Sequence, residues 1–213
     1  MPSISTFPTL TRDEVFRIET RRLWLRWPRL QDAVMLSHWT GRPEVATMTS
    51  TFKVDMSEAE IVDRTQSMRA SNTVGRSLSF VMVPQGADNH AIGMVGVHTR
   101  PDGGLELGYH LDPAHWGLGL MSEAVSALAA QVFELTDAPR IDAAVRPDNH
   151  ASSRVLEKCG FKPVGAGEHD SPIYGRYLVR NFALPRSKPS ALLSAYRRFN
   201  TAPAIAHDLV GLV

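Results

Sequence analysis

The chain has 213 residues, 43% of them hydrophobic, enough for one large domain with a real core or for a domain plus an extension. Its 23 lysines and arginines nearly cancel its 22 aspartates and glutamates, so the charge balance calls for no nucleic-acid partner. No apolar run is long enough for a membrane span, and the opening MPSISTFPTLTRDE lacks the basic start and apolar centre of a secretory signal. The single cysteine, Cys159, excludes an internal disulfide and fits a reducing cytosol.

Residues 1–17 are polar and proline-marked and read as an N-terminal arm with a short turn near Thr11–Glu14. Ile18 to Trp27 sets Leu23, Leu25 and Trp27 against Arg22, Trp24 and Arg26, which predicts a first strand with Arg21, Arg22 and Arg26 on a solvated face. Arg29 to Gly41 reads as a helix with Leu30, Ala33, Leu36 and Trp39 on one side. Ser57-Glu58-Ala59-Glu60 has the form of a capping box, opening a helix that runs to about Asn72. Ser77–Val83 and Ala91–His98 read as strands joined by a turn, and Asp102-Gly103-Gly104 turns the chain into a third strand, Leu105–Leu111. Along that strand Leu105, Leu107, Tyr109 and Leu111 alternate with Glu106, Gly108 and His110. An apolar face with Tyr109 in the core is therefore set against a face bearing a carboxylate and an imidazole.

Trp116-Gly117-Leu118-Gly119 follows, and then a helix whose stripe is Met121, Val125, Leu128, Val132 and Leu135. Glycines there let backbone N–H groups turn toward a ligand at a helix N-terminus, where the dipole favours an anion such as a phosphate. A dinucleotide fingerprint would need a third glycine where Ser122 stands, and the Gly-Lys-Ser/Thr of a P-loop is absent. Arg140–Arg146 reads as a strand. A helix capped by Asn149 runs to Gly160, with Cys159 as a small core residue, and Phe161–Ala166 and Ile173–Phe182 close the domain as two strands. The order predicts an α/β (α+β) sheet, antiparallel in its first run and with a parallel pair in the middle. From Pro185 the composition shifts, and residues 185–213 read as an extension: a helix packed on the domain or on a second subunit, or a disordered tail.

LELGYHLDPAHWGLGLMSEA and AAVRPDNHASSRVLEKCGFK, in this order, make the chain resemble the GNAT superfamily of N-acetyltransferases, in particular its RimJ/RimL-like, ribosomal-protein N-terminal acetyltransferase branch. The resemblance spans about Ile18 to Phe182, within a domain taken as residues 18–184. It implies a mostly antiparallel sheet of about seven strands, with helices on both faces and splayed central strands. It implies acetyl-CoA as cosubstrate, with the diphosphate on the backbone of Trp116, Gly117, Leu118, Gly119 and Leu120, and the pantetheine arm between the strands at Leu105–Leu111 and Arg140–Arg146. Asn149 matches a position contacting that arm, Ser152 one near the thiol, and a strand backbone N–H around His110 or Leu111 matches the oxyanion site. Where the family often has Gln or Arg at the start of the loop, this chain has Ala114.

Transfer of acetyl to an amine needs a free base form, an oxyanion site and a proton for the departing thiolate. Freeing an α-amine of pKa ~8 at pH 7 costs roughly 1 kcal/mol, and a lysine amine near 10.4 roughly 4–5 kcal/mol. Glu106 is the candidate base, against an ordinary ion-paired glutamate; His110 is the second candidate. Ser152 is either a proton relay or a cap. The histidines show no metal spacing, so no metal is expected. The implied function is transfer of acetyl to a protein N-terminus or a small-molecule amine in the cytoplasm, with a possible homodimer through the tail. The competing reading is a non-catalytic CoA-binding sensor or assembly module. Acceptor identity is expected to reside between the first strand and Asn72 and in the loop after Gly165, where no code is readable.

Overall fold

The computed structural model describes residues 6–12 and 16–187. A short 3-10 turn at Thr9–Arg12 precedes β1 (Arg17–Glu19), β2 (Leu23–Arg26), α1 (Asp32–Thr40), α2 (Pro43–Ala46) and α3 (Glu58–Thr73). Three strands follow, β3 (Ser77–Pro84), β4 (Gly93–Thr99) and β5 (Leu105–Leu111), then α4 (Leu120–Leu135) and β6 (Arg140–Val145). The chain continues through α5 (His150–Lys158), β7 (Lys162–Ser171) and β8 (Gly175–Pro185). The sheet runs β1-β2-β3-β4-β5-β6-β8-β7, and every neighbouring pair is antiparallel except β5 with β6.

The expected mixed sheet is present, with eight strands. The run from Ile18 to Trp27, read as a single strand, folds into a hairpin in which Ile18 faces Leu25. Its turn is fixed from outside. Thr20 Oγ1 and Arg22 N both donate to Glu123 Oε1, at 2.6 and 2.8 Å, a carboxylate about a hundred residues away that no local pattern reveals. The last two strands are longer than expected, and the four-residue α2 was not anticipated.

Arg26 corrects the reading of a solvated face. It is 4% exposed, and its guanidinium makes a double hydrogen bond to Asp32, at 2.7 and 2.8 Å, and a third to Asp88 at 2.8 Å. Arg22 likewise pairs with Glu123 at 2.7 Å. Leu30, placed on the apolar side of the first helix, lies before it and is largely exposed. The capping box forms as read: Glu60 N donates to Ser57 Oγ, and Ser57 N donates back to Glu60 Oε2.

The sheet separates two cores. On one face Leu105, Leu107 and Leu111 pack with the stripe of α4 and with Leu156 of α5; Phe7 from the N-terminal segment joins them. On the other, Val81, Val83 and Met94 pack under Leu36 and Trp39 of α1 and Ile61 of α3. Cys159 is half-buried against the first core. β5 and β6 pair only at Leu105–Ile141 and Glu106–Asp142, then diverge. The extension from Pro185 lies, from residue 188 on, outside the described residues, as does the dimer contact assigned to it. No helix among the described residues is long and apolar enough to cross a membrane.

Candidate functional site

Where β5 and β6 part, one cleft of about 1170 Å³ passes through the sheet. One half opens on the α4/α5 face, the other beneath α2, α3 and the β7–β8 hairpin. Beyond the two paired positions the facing edges of β5 and β6 lack each other as hydrogen-bond partners, which leaves room for an extended, amide-bearing ligand between them.

On the α4 side, Gly117 and Gly119 have φ of 77° and 73°, a left-handed backbone that glycine adopts without penalty. Gly119 is the N-cap of α4, and its carbonyl accepts from Glu123 N at 3.1 Å. The amides of Leu120, Met121 and Ser122 therefore begin the helix with no partner inside it, and all three residues line the cleft. Trp116 Nε1 donates to Leu111 O at 2.9 Å and ties the loop to the end of β5, while Arg22 Nη1 holds Leu118 O at 2.9 Å. Trp116, Gly117 and Gly119 line the cleft; the exposed side chain of Leu118 and Ala114 do not. Burial would raise the Glu123 carboxyl, but hydrogen bonds from Thr20 and Arg22 hold it below its usual range.

Asn149 caps α5 by accepting from Ser152 N at 3.0 Å. Ser152 Oγ lies 2.8 Å from the Tyr109 hydroxyl, which also donates to Ser152 O at 3.1 Å. Tyr109 packs on the core, as the strand pattern required, and its hydroxyl reaches the cleft wall. Burial pushes the phenol well above its usual range, so it stays protonated.

On the opposite side Glu106 stands at the last paired position before the strands separate. Its side chain is 16% exposed, and one oxygen lies 3.7 Å from Nε2 of the half-exposed His98. His110 is enclosed by Phe52 and Trp39, at ring-centroid distances of 4.5 and 5.5 Å. Burial, aided by the Arg64 charge, drives its pKa down to about 3, and its Nε2 has no hydrogen-bond partner. The structure thus brings Glu106, His110, Asn149, Ser152 and the loop glycines to one cleft. It adds Arg64, Arg146 and Tyr177, which sequence reasoning missed because they come from α3, the exit of β6 and β8 and converge only in three dimensions. Among the described residues no cluster of histidine, cysteine and carboxylate side chains could hold a metal ion.

Comparison with known proteins bears on the family and the fold. The family model described as Acetyltransferase (GNAT) domain matches residues 22–162. An uncharacterised N-acetyltransferase of Bacillus licheniformis is 34% identical over 149 residues, 68% of this chain and 82% of its own. Among solved structures, RimJ of Mycobacterium smegmatis in complex with CoA-disulfide aligns with a TM-score of 0.71 and 21% identity, covering 86% of this chain and 93% of that one. The ribosomal-protein-S5-alanine acetyltransferase of Vibrio fischeri aligns at 0.68 and 23% identity, covering 81% and 98%. At such identities the solved structures speak for the fold.

Proposed function

Because the chain belongs to the GNAT acetyltransferase family, we propose that it binds acetyl-CoA across the β5–β6 gap and passes the acetyl group to a primary amine held in the opposite half of the cleft. The observation that carries this reading is the coincidence of three features along one cleft. They are the unpaired amides at the start of α4, the strand gap, and a carboxylate where the gap closes.

The residues present fit the coenzyme. A diphosphate would accept hydrogen bonds from the N–H groups between Gly117 and Ser122, at the positive end of α4. That interaction is made by backbone, so Ala114 in place of a longer polar side chain removes at most one contact. The pantetheine arm would take up the free edges of β5 and β6, with Asn149 beside it. The thioester carbonyl would then lie near the β5 amide of Leu111, which points away from β4 and stabilises the oxyanion that develops there.

Glu106 is the base. It takes the amine proton, directly or through one water, as the N–C bond forms and the C–S bond breaks. His110, held neutral with a pKa of about 3, is too weak a base for this work and serves as cleft wall. The departing thiolate takes the proton of the Ser152 hydroxyl, which regains one through water from the proton that left the amine, while Tyr109, hydrogen-bonded to Ser152, stays protonated.

Calorimetry with acetyl-CoA, followed by thiol release over an amine panel, tests the proposal. Tight binding and thiol release that collapses in Glu106→Gln are expected. Binding with no thiol release for any amine would instead favour the non-catalytic sensor, and absence of binding by folded protein would remove both.

A further inference from the structure

Two arginines in the acceptor half lack an anionic partner. Arg64 reaches in from α3 with its guanidinium 5.0 Å from the Phe52 ring centroid; it forms no ion pair among the described residues, and burial is what depresses its pKa. Arg146, one residue past β6, lies 3.7 Å from the Tyr177 ring centroid and 5.3 Å from that of Tyr174. Its Nε is buried with no hydrogen-bond partner, as are the Tyr174 hydroxyl and His110 Nε2. Withdrawing a charge from water without a counter-charge is costly. Elsewhere this chain avoids that cost, as Arg26 with Asp32 and Asp88 and Arg22 with Glu123 show. Glu44 and Asp63 line the same half, but both are exposed and neither is within ion-pair distance of Arg64.

The coenzyme does not account for these cations. The amides that suit its diphosphate open α4, whereas α3 packs on the other face of the sheet. The acceptor half is also bridged at one point. Ser171 Oγ donates to Ser50 O at 2.7 Å, so the segment after α2 meets the β7–β8 hairpin over the sheet. A chamber bridged at this point and open to solvent beside it admits a small molecule to both arginines.

We infer that the acceptor is a small primary amine that carries an oxyanion, a carboxylate or a phosphate, and that Arg64 and Arg146 hold that anion while the amine faces Glu106. The inference rests on the acetyl-transfer reading and narrows its substrate class. Both arginines are specificity residues; neither takes part in the bond changes.

The test is thiol release by the full chain with acetyl-CoA and matched amines. The pairs are free amino acids against their carboxamides and phosphoethanolamine against ethanolamine, with short peptides bearing free N-termini as a third set. One or both anionic members should exceed their neutral counterparts in kcat/KM by at least about tenfold, and whichever pair does so identifies carboxylate or phosphate. Arg64→Gln and Arg146→Gln should bring that ratio toward one, chiefly through KM, and Arg64→Lys should recover part of it. The wild-type ratio stands as a test even where a variant fails to fold. Equal or faster turnover of neutral amines, or preference for peptides, overturns the inference while leaving acetyl transfer intact. Heat from acetyl-CoA without thiol release from any amine overturns both.

Discussion

The two halves of the cleft are built in opposite ways. The α4 half is made mostly of backbone: amides at a helix start, held open by two left-handed glycines and the free edges of two strands. The α2–α3 half is made of side chains delivered by separate segments, among them Glu106, Arg64, Arg146 and Tyr177. A backbone site reads shape and charge that are the same in every coenzyme molecule. A side-chain site can change its specificity without disturbing the fold. Substitutions should therefore divide cleanly, some changing coenzyme binding and others changing what is acetylated or how fast.

The largest effect is expected at the junction of the halves. Glu106→Gln should lower kcat by about 10²–10⁴-fold, read by thiol release at neutral pH, with the acetyl-CoA Kd from calorimetry held near wild type. A change confined to Kd would move Glu106 out of the acceptor half altogether. Next, Arg26→Ala strips the counter-charge from Asp32, which is 2% exposed, and should cost about 3–5 kcal/mol of stability in denaturant unfolding. Because this ion pair ties β2 to α1, and α1 carries Trp39 against His110, milder temperatures should raise the amine KM before they affect coenzyme binding.

Gly119→Val tests the backbone half. A β-branched residue at φ 73° is strained by about 1–2 kcal/mol, so acetyl-CoA should bind roughly tenfold more weakly by calorimetry, with the relative rates on different amines unchanged. The smallest effect concerns pH. An unfolded histidine takes up a proton below about pH 6.5, whereas folded His110 resists until about 3. The unfolded chain thus binds more protons across that window, and stability falls as pH drops through it, by at most about 1.4 kcal/mol per pH unit. His110→Phe should flatten that slope in unfolding measurements between pH 4.5 and 7; an unchanged slope would mean that His110 titrates normally.

The same contrast governs what could be read in advance. HWGLGL and the strand before it are contiguous, and glycine spacing together with period-two alternation states their geometry directly. The Asn149 cap and the Ser57–Glu60 box are also local, since cap and N–H lie within one helical turn. Arg26 was misread because alternation alone puts a charged residue outside; its burial is tolerable only because Asp32 and Asp88, the latter 62 positions away, converge on its guanidinium. The break of the first strand into a hairpin depends in the same way on Glu123. Tyr109 was rightly placed on the apolar face, but its bond to Ser152 needed α5 to be laid against β5.

By itself the sequence determined the run of strands and helices, the loop that opens α4, and through these the family, because hydrophobic period and glycine backbone freedom act over a few neighbouring residues. The tertiary structure decided where β5 and β6 separate, which arginines lose their water without gaining a carboxylate, and how the acceptor half is bridged. Those outcomes depend on distances between segments far apart in the chain, and electrostatics and desolvation respond to such distances whatever the spacing along the sequence.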